Sequence, residues 1–541
     1  MATVQHKTPG VYISEPDSFP PSVVGVETAV PVFVGYTEKA VDARISLHLR
    51  PTRISSLAEY VQGFGGACPR TYYLLTEGDA KPKSPGDRVI AANFTFVDGG
   101  DAFQLVESAA VGFNLYDSLR LFYSNGGGAC YIVSCGTYDT GAVARGDLLD
   151  GLEAVANEVG PTMLVVPDAV LLADQADFDS VSVAMLRQCV SKQDRVAILD
   201  VWGARAVHDE ASLDAAIDRF RTGLAGAPPE SLRYGMAYFP FLVTSVVPAD
   251  DVGIANFTGD AGLATLKTAL GTAAARLYPA GDGKSDPRVA EIKACLDMLG
   301  ASLPGDQARI PLPDRTPPGR LTHDELARTL RANIPGFGDM FRHAAQSRNT
   351  LPPSGAMAGL FTTTDNSRGV WNAPANVGIS GLIAPTFEIT DAQQQGLNTP
   401  LQGLAVNAIR TFPGRGSLVW GARTLDSNSD DWRYIMVRRT TIYVEQSVKT
   451  ALSSFVFAPH TALTWTTIVS MVESFLHGLW AAGGLIGASP AEAYGVRCGL
   501  GSTMTPEDVL EGYVNVLVVL QMVRPGQFIE FVFRQQMLGA A

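Results

Sequence analysis

Between Asp147 and about Phe241 the chain alternates runs of helical and strand character, and this alternation restricts its fold more than any other feature. DLLDGLEAVANEV, ADFDSVSVAMLRQCVSK and DEASLDAAIDRFRTGL have the spacing of amphipathic helices, whereas TMLVVPD, RVAILDVW and YGMAYFPFLV are short and almost wholly apolar. Strands separated by helices of about ten or more residues predict β-α-β units around a mostly parallel sheet. Upstream, AVPVFVGY (Ala29 to Tyr36) reads as the first buried strand. PTRISSLAEYVQGFGG reads as a helix opening at Ser55 or Ser56, with Glu59 as capping partner and a Gly stop. FNLYDSLRLFYSNGGGACYIVSC gives a helix, a Gly-rich stop and a strand.

At 541 residues the chain is several times a typical domain, so two to four folded units are expected. The first 28 residues read as an extended arm, because Pro9, Pro16, Pro20 and Pro21 break every helix, and GVYIS within it is a short β-prone run in need of a partner. From about Ala67 to Gly112 short β-like runs (TYYLL, NFTFVD, DAFQLVES) read as a small β-rich insertion, expected to decorate the surface. Helical patterns dominate from Leu263 to about Gln346, broken by a Pro-rich linker at Leu312 to Arg320. Asn407 to Leu452 is dense in aromatics and arginines, and reads as two strands around a Gly/Pro corner, a polar turn, then a third strand running into an amphipathic helix. A helix from Leu463 to Leu485 follows, and two β-runs, YVNVLVVLQMV and QFIEFVFRQQ, close the chain around the turn Arg524-Pro525-Gly526.

The chemistry of catalysis is hard to find. A formal charge of -13 opposes general nucleic-acid or anionic-membrane binding. The six cysteines never form a C-x-x-C pair and read as buried free thiols of a protein folded in a reducing compartment. Gly281 to Ser285 (GDGKS) lacks the first glycine of a phosphate loop, and the run Asn125 to Gly128 follows a helix instead of opening one. The seven histidines have no ligand spacing, and no G-x-S-x-G elbow occurs. His208-Asp209-Glu210 and His323-Asp324-Glu325 read as helix starts, and the Asn-x-Thr sites at Asn93 and Asn256 as chance. No signal peptide or membrane-spanning apolar run is visible, which predicts synthesis and folding in the cytosol.

Several motifs in fixed order carry a resemblance. TPGVYISE, AVPVFVG, PTRISSLAEYVQGFGG, NGG before Tyr131-Ile132-Val133, RVAILDV and PPSGAMAGLFTTTDNSRGVWNAPAN together resemble the contractile tail sheath family. NAIRTFPGRGSLVWGARTL, WRYIMVRRTTIYVEQSVKTAL and TPEDVLEGYVNVLVVLQMVRPGQFIEFVFRQ resemble it more closely, so that coverage is nearly continuous beyond Leu351 and intermittent before it.

The resemblance implies a mixed α/β, multi-domain structural protein with no catalytic, metal or cofactor site. An arm over 1–28 would join a tube-proximal C-terminal sheath domain over 351–541, with an outer α/β domain over 29–350 inserted between them. Family members polymerise as stacked six-subunit rings in a six-start helix around an inner tube, with baseplate and terminator or cap proteins as further partners. Contraction then drives the tube through a target envelope. Val11, Tyr12 and Ile13 of the N-terminal arm, and Phe528, Ile529, Glu530, Phe531, Val532 and Phe533 of the C-terminal arm, are expected to join strands with neighbouring subunits. Arg433, Arg438 and Arg439 are candidate contacts to the tube or to another subunit. Assembly in the bacterial cytoplasm into a phage tail or a released, extracellular particle would follow, without nucleic acid or membrane insertion. An α/β enzyme of unknown substrate, or an adhesion or shell protein, is the competing reading.

Overall fold

The structure, a computed structural model, describes residues 22–76, 87–108, 112–257, 263–280, 286–299, 323–401 and 403–527. By contacts the chain divides into a larger unit, Glu27–Arg439, and a smaller one made of Met1–Val26 with Thr440–Ala541.

The larger unit is built on strands that are apolar without alternation. Besides five short strands in two small sheets, its strands in chain order are β1 (Pro31–Thr37), β2 (Thr52–Ile54), β3 (Tyr72–Thr76), β4 (Arg88–Phe94), β5 (Phe103–Glu107), β6 (Cys130–Thr137), β7 (Met163–Val165), β8 (Val196–Leu199), β9 (Gly235–Phe239), β10 (Val377–Gly378), β11 (Val406–Phe412) and β12 (Gly416–Trp420). The helices are α1 (Leu57–Phe64), α2 (Leu115–Ser124), α3 (Arg145–Val155), α4 (Gln175–Lys192), α5 (Glu210–Gly223), α6 (Leu263–Leu277), α7 (Pro287–Met298), α8 (His323–Asn333), α9 (Pro335–Arg348), α10 (Ser354–Arg368) and α11 (Asp391–Asn398). Nine strands form one sheet in the order β10-β12-β11-β9-β8-β7-β1-β6-β2. The six from β11 to β6 are parallel; β2 and β12 run against them at the two ends of that set, and β10, pairing antiparallel with β12, returns to their direction. The alternation read between Asp147 and Phe241 is therefore α3-β7-α4-β8-α5-β9, with each new strand laid beside the last.

Strand alternation covers both faces of this sheet. Phe33 of β1 meets Phe122 of α2 with ring centroids 5.3 Å apart, while its neighbour Val34 faces Gly151 of α3. On the α2 face, α10 packs closely against α2: a Cβ at Gly355 would lie 2.6 Å from the Ser118 carbonyl oxygen, and one at Gly359 2.5 Å from that of Phe122. Local signals act as read. Ser56 accepts the Glu59 N–H at the start of α1, Asp209 and Ser212 close a capping box on α5, and Gly126 at φ 83 ends the turn between α2 and β6.

Three readings change in three dimensions. The β-rich run is a three-stranded antiparallel sheet, β3-β5-β4, but it is more than decoration. Its Tyr72, Leu74, Phe94, Phe96, Phe103 and Leu105 share one core with α6, α7, α8 and α9, including Leu270, Ile292, Leu330 and Phe337. A two-sided sheet exposes one apolar face until something covers it, and the helices after Leu263 do so. The third strand read in Asn407–Leu452 is a helix, α12 (Ile435–Leu452). Its β-branched residues suggest a strand, but the segment is helical throughout: Ile435 to Thr440 are buried all round, and beyond them burial continues at Ile442, Val444, Ser447 and Val448. The contact division falls inside α12, whereas a boundary was expected near residue 350; β11 and β12 lie beyond that point yet pair into the main sheet through β9.

The smaller unit contains the rest of α12, then α13 (Ala462–Ala481), β13 (Tyr494–Arg497), a short helix Pro506–Glu511, and β14 (Leu517–Leu520). Val26 N–H donates to Ser447 Oγ (3.1 Å), and the Tyr443 and Phe475 rings lie 5.8 Å apart.

The α2–α10 contact makes a test. Gly359→Val should cost about 1–3 kcal/mol, because the new Cβ meets a helix carbonyl that cannot retreat. The check is the chemical-denaturation midpoint of the purified chain; an unchanged midpoint would mean that α2 and α10 do not approach this closely.

Candidate functional site

In an open parallel sheet, ligands bind beyond the carboxyl ends of the strands, so that edge is where catalytic groups should be sought. Two aspartates stand there, Asp168 three residues beyond β7 and Asp200 immediately after β8. Both are buried, and both are already engaged. Asp168 accepts N–H bonds from Asn114 (2.6 Å) and Tyr36 (2.9 Å). Asp200 accepts from Ser354 N–H (2.9 Å) and Ser354 Oγ (2.6 Å). Asn114 and Ser354 open α2 and α10, whose own cap positions, Asn114 and Pro353, supply no side-chain cap. The two carboxylates thus act as caps delivered from neighbouring strands. Burial raises Asp168 to about 6 and Asp200 to about 7, although the donated hydrogen bonds oppose it. Neither lines the open concavity of about 810 Å³ over α3 and α4, whose walls include Leu149, Leu152, Val183 and Arg187. Among the described residues, no group of three or more His, Cys, Asp or Glu could hold a metal ion, and no helix is long and apolar enough to cross a membrane.

The arginine-rich stretch is mostly turned inward. Arg439 makes a two-pronged pair with Asp365 (2.8 and 2.6 Å) and lies 4.5 Å from the Phe361 ring centroid. Arg438 is sandwiched between Tyr234 and Trp432, 4.7 Å from each ring. Both are almost fully buried, at 5% and 3% exposure, so neither stands on an exposed face of this subunit. A guanidinium needs a carboxylate or a π-face once it leaves water, and here it has both kinds of partner. Arg433 differs: it is half-buried, donates to the Ser429 carbonyl at 2.8 Å, and pairs with the exposed Asp430. Of the three candidate arginines it alone reaches the surface.

Val11, Tyr12 and Ile13, and Phe528 to Phe533, lie outside the described residues. What the described part supplies is a surface suited to strand addition. β13 and β14 form a two-stranded antiparallel sheet, pairing Tyr494 with Leu520 and Arg497 with Leu517. Sheets this small are marginal alone. Leu517 and Val519 sit on its open face, 49% and 54% exposed. Elsewhere in the same unit Phe457 is fully exposed at φ 67, a backbone region that bulky residues seldom adopt. The sequence held a signal for the sheet, since VNVLVVL has strand composition, but none for which apolar residues stay uncovered.

No family model matches the sequence. The major tail sheath protein of Serratia phage KSP20 is 30% identical over 132 residues, which span 24% of this chain and 33% of the phage protein. The fold matches the PVC sheath complex of an extracellular contractile injection system in its contracted state, with 24% identity, 99% of each chain covered and a TM-score of 0.56. It also matches a chain of the 6-fold symmetrised anti-feeding prophage baseplate (25% identity, 98% and 100% covered, TM-score 0.56). A further likeness is to the contracted anti-feeding prophage helical sheath (24%, 98% and 100%, TM-score 0.55). In fold, and in the order of its motifs, the chain resembles the contractile tail sheath family.

Asp200 supplies a pH test. Its carboxyl is raised above the ordinary 3.8, so its contribution to stability is fully present below that value and is lost as pH rises through about 7. Asp200→Asn keeps an acceptor for the Ser354 N–H and removes the titration. Between pH 5 and 8 the variant should therefore gain on the wild type by on the order of 1–3 kcal/mol. Denaturation at several pH values measures this; a flat difference would mean that Asp200 does not titrate there.

Proposed function

We propose that this chain, with the fold of the contractile tail sheath family, is the sheath subunit of a contractile injection apparatus or phage-like tail. The observation that carries the reading is the extent of the likeness: sheath chains of two injection systems match it over 98% or more of both partners. Subunits would stack as six-membered rings in a six-start helix around an inner tube, and end at baseplate and terminator or cap proteins. A six-fold baseplate as the source of one matching chain supports that number. Assembly would take place in the bacterial cytoplasm, and contraction would push the tube through a target envelope. With the strand-end aspartates engaged as helix caps, the energy for this step would come from contacts stored in the assembly rather than from a catalysed reaction.

Linkage between subunits would use the arms. A strand from Val11–Ile13 of one copy and one from Phe528–Phe533 of another would extend the β13–β14 sheet of a third. Each backbone hydrogen bond is worth only about 0.5–1.5 kcal/mol net, but several per arm, repeated along a polymer, hold a lattice whose subunits can still rotate. The contact is head-to-tail, which suits an open helix. Leu517 and Val519 would be covered in the process.

Two sets of variants test this. Deleting Met1 to Glu15, or truncating after Arg524, should leave a folded subunit that forms no long tubes in negative-stain images. Replacing both Leu517 and Val519 by Lys should do the same while leaving the circular dichroism spectrum intact, because both side chains already face solvent in the subunit. Contractile tubes of ordinary length from these variants would sink the strand-addition scheme.

A further inference from the structure

Where the three-stranded insertion meets the main sheet, the cluster formed by the described residues carries more positive than negative charge. Glu107, at the end of β5, lies at the centre. Arg70 Nη1 donates to its Oε1 (2.7 Å), Arg88 pairs with its Oε2, and Ser347 Oγ donates to the same oxygen (2.6 Å). Burial alone would raise this carboxyl, but Arg70 and Arg88 outweigh it and hold the group at about 2. Arg205, in the turn Ala204–Ala206 after β8, enters from the main-sheet side and donates through Nη2 to the Ser347 carbonyl (2.8 Å). Two guanidiniums therefore pair with one carboxylate, and a third, Arg205, lies close enough to feel its charge. The nearby Arg348–Asp117 pair (2.9 Å) is self-neutralising and adds nothing. The C-terminus of α9, which ends at Arg348, supplies roughly half a negative charge, so among these described groups more than one positive charge remains.

Arg205 bears most of that excess. Its Nε is enclosed and has no hydrogen-bond partner among the described residues. Burial, with Arg88 and Arg70 beside it, pulls its guanidinium down to about 9. A buried donor without an acceptor, next to like charges, is the environment that an anion relieves. Arg88 is 39% exposed along its side chain and opens the cluster to solvent.

We propose that this cluster is an oxyanion-binding site, in which a phosphate- or sulfate-like ion accepts from Arg205 and Arg88 and ties the insertion to the main sheet. The ion's oxygens supply the acceptors that Glu107 is too heavily engaged to give, and its charge balances the three arginines. Because Arg70, Arg88 and Glu107 belong to the insertion and Arg205 to the main sheet, a bound ion stiffens the junction between them.

The test is thermal unfolding of the purified 541-residue chain in inorganic phosphate against chloride at matched ionic strength. Phosphate should raise Tm by about 2 °C or more between 1 and 50 mM, and Arg205→Gln should abolish the rise. Should that variant fold poorly, Arg88→Gln, at the exposed side of the cluster, gives the same readout and must also lose it. No phosphate-specific rise in the wild type overturns the proposal, as does a rise that survives in both variants. Glu77 and Asp79, which lie between β3 and β4 in sequence, provide the remaining control. A rise seen only in Glu77→Gln/Asp79→Asn would show that the chain's own carboxylates fill the site, and would overturn it too.

Discussion

Two helices cannot be buried against a sheet with their first N–H groups unpaired, and this fold meets that demand with carboxylates sent from the sheet itself. Asp168 and Asp200 follow adjacent parallel strands and cap α2 and α10, helices that also pack on each other through Gly355 and Gly359. Each unsatisfied buried donor would cost about 1–3 kcal/mol, so the caps fix where the helices begin and the glycines fix how near they lie. A Cβ on Gly35 of β1 would lie 2.5 Å from Asp168 Oδ2, so the strand, the cap and the helix constrain one another.

A second core lies beside the first. The β3-β5-β4 sheet and the helices α6 to α9 bury each other's apolar faces, and the Arg70–Glu107–Arg88 cluster with Ser347 and Arg205 sits where that core meets the main sheet. Apolar contacts are non-directional, whereas a buried ion cluster accepts few geometries, so the cluster sets the orientation that the apolar contacts leave loose. In the smaller unit the balance is different. Leu517, Val519 and Phe457 are exposed, so among the described residues this part keeps more apolar surface uncovered than the larger cores do.

Much of the larger unit was legible. The run α3-β7-α4-β8-α5-β9, the Ser56 and Asp209 caps and the glycine stop after α2 follow from local periodicity and capping chemistry, which neighbouring residues decide. Asn407–Leu452 was read only in part. Its two strands are present, but Ile435–Leu452 is helical throughout, because its packing inside the fold settled a composition that would suit either state. Arg438 and Arg439 carry the same lesson: sequence shows a pair of charges, and only packing reveals Tyr234, Trp432, Phe361 and Asp365 waiting for them.

By itself the sequence determined the α/β class, the parallel core, most helix limits and, through the order of its motifs, the likeness to contractile sheaths. These depend on residues close together in the chain. The tertiary structure alone decided that Asp168 and Asp200 are caps, that the β-rich insertion shares a core with helices more than 150 residues later, and that Arg70 and Arg88 meet on Glu107 with Arg205 nearby. The physical reason is the same each time. Burial, charge balance and hydrogen-bond satisfaction are properties of what surrounds a group, and in these cases the surroundings come from segments that only folding brings together.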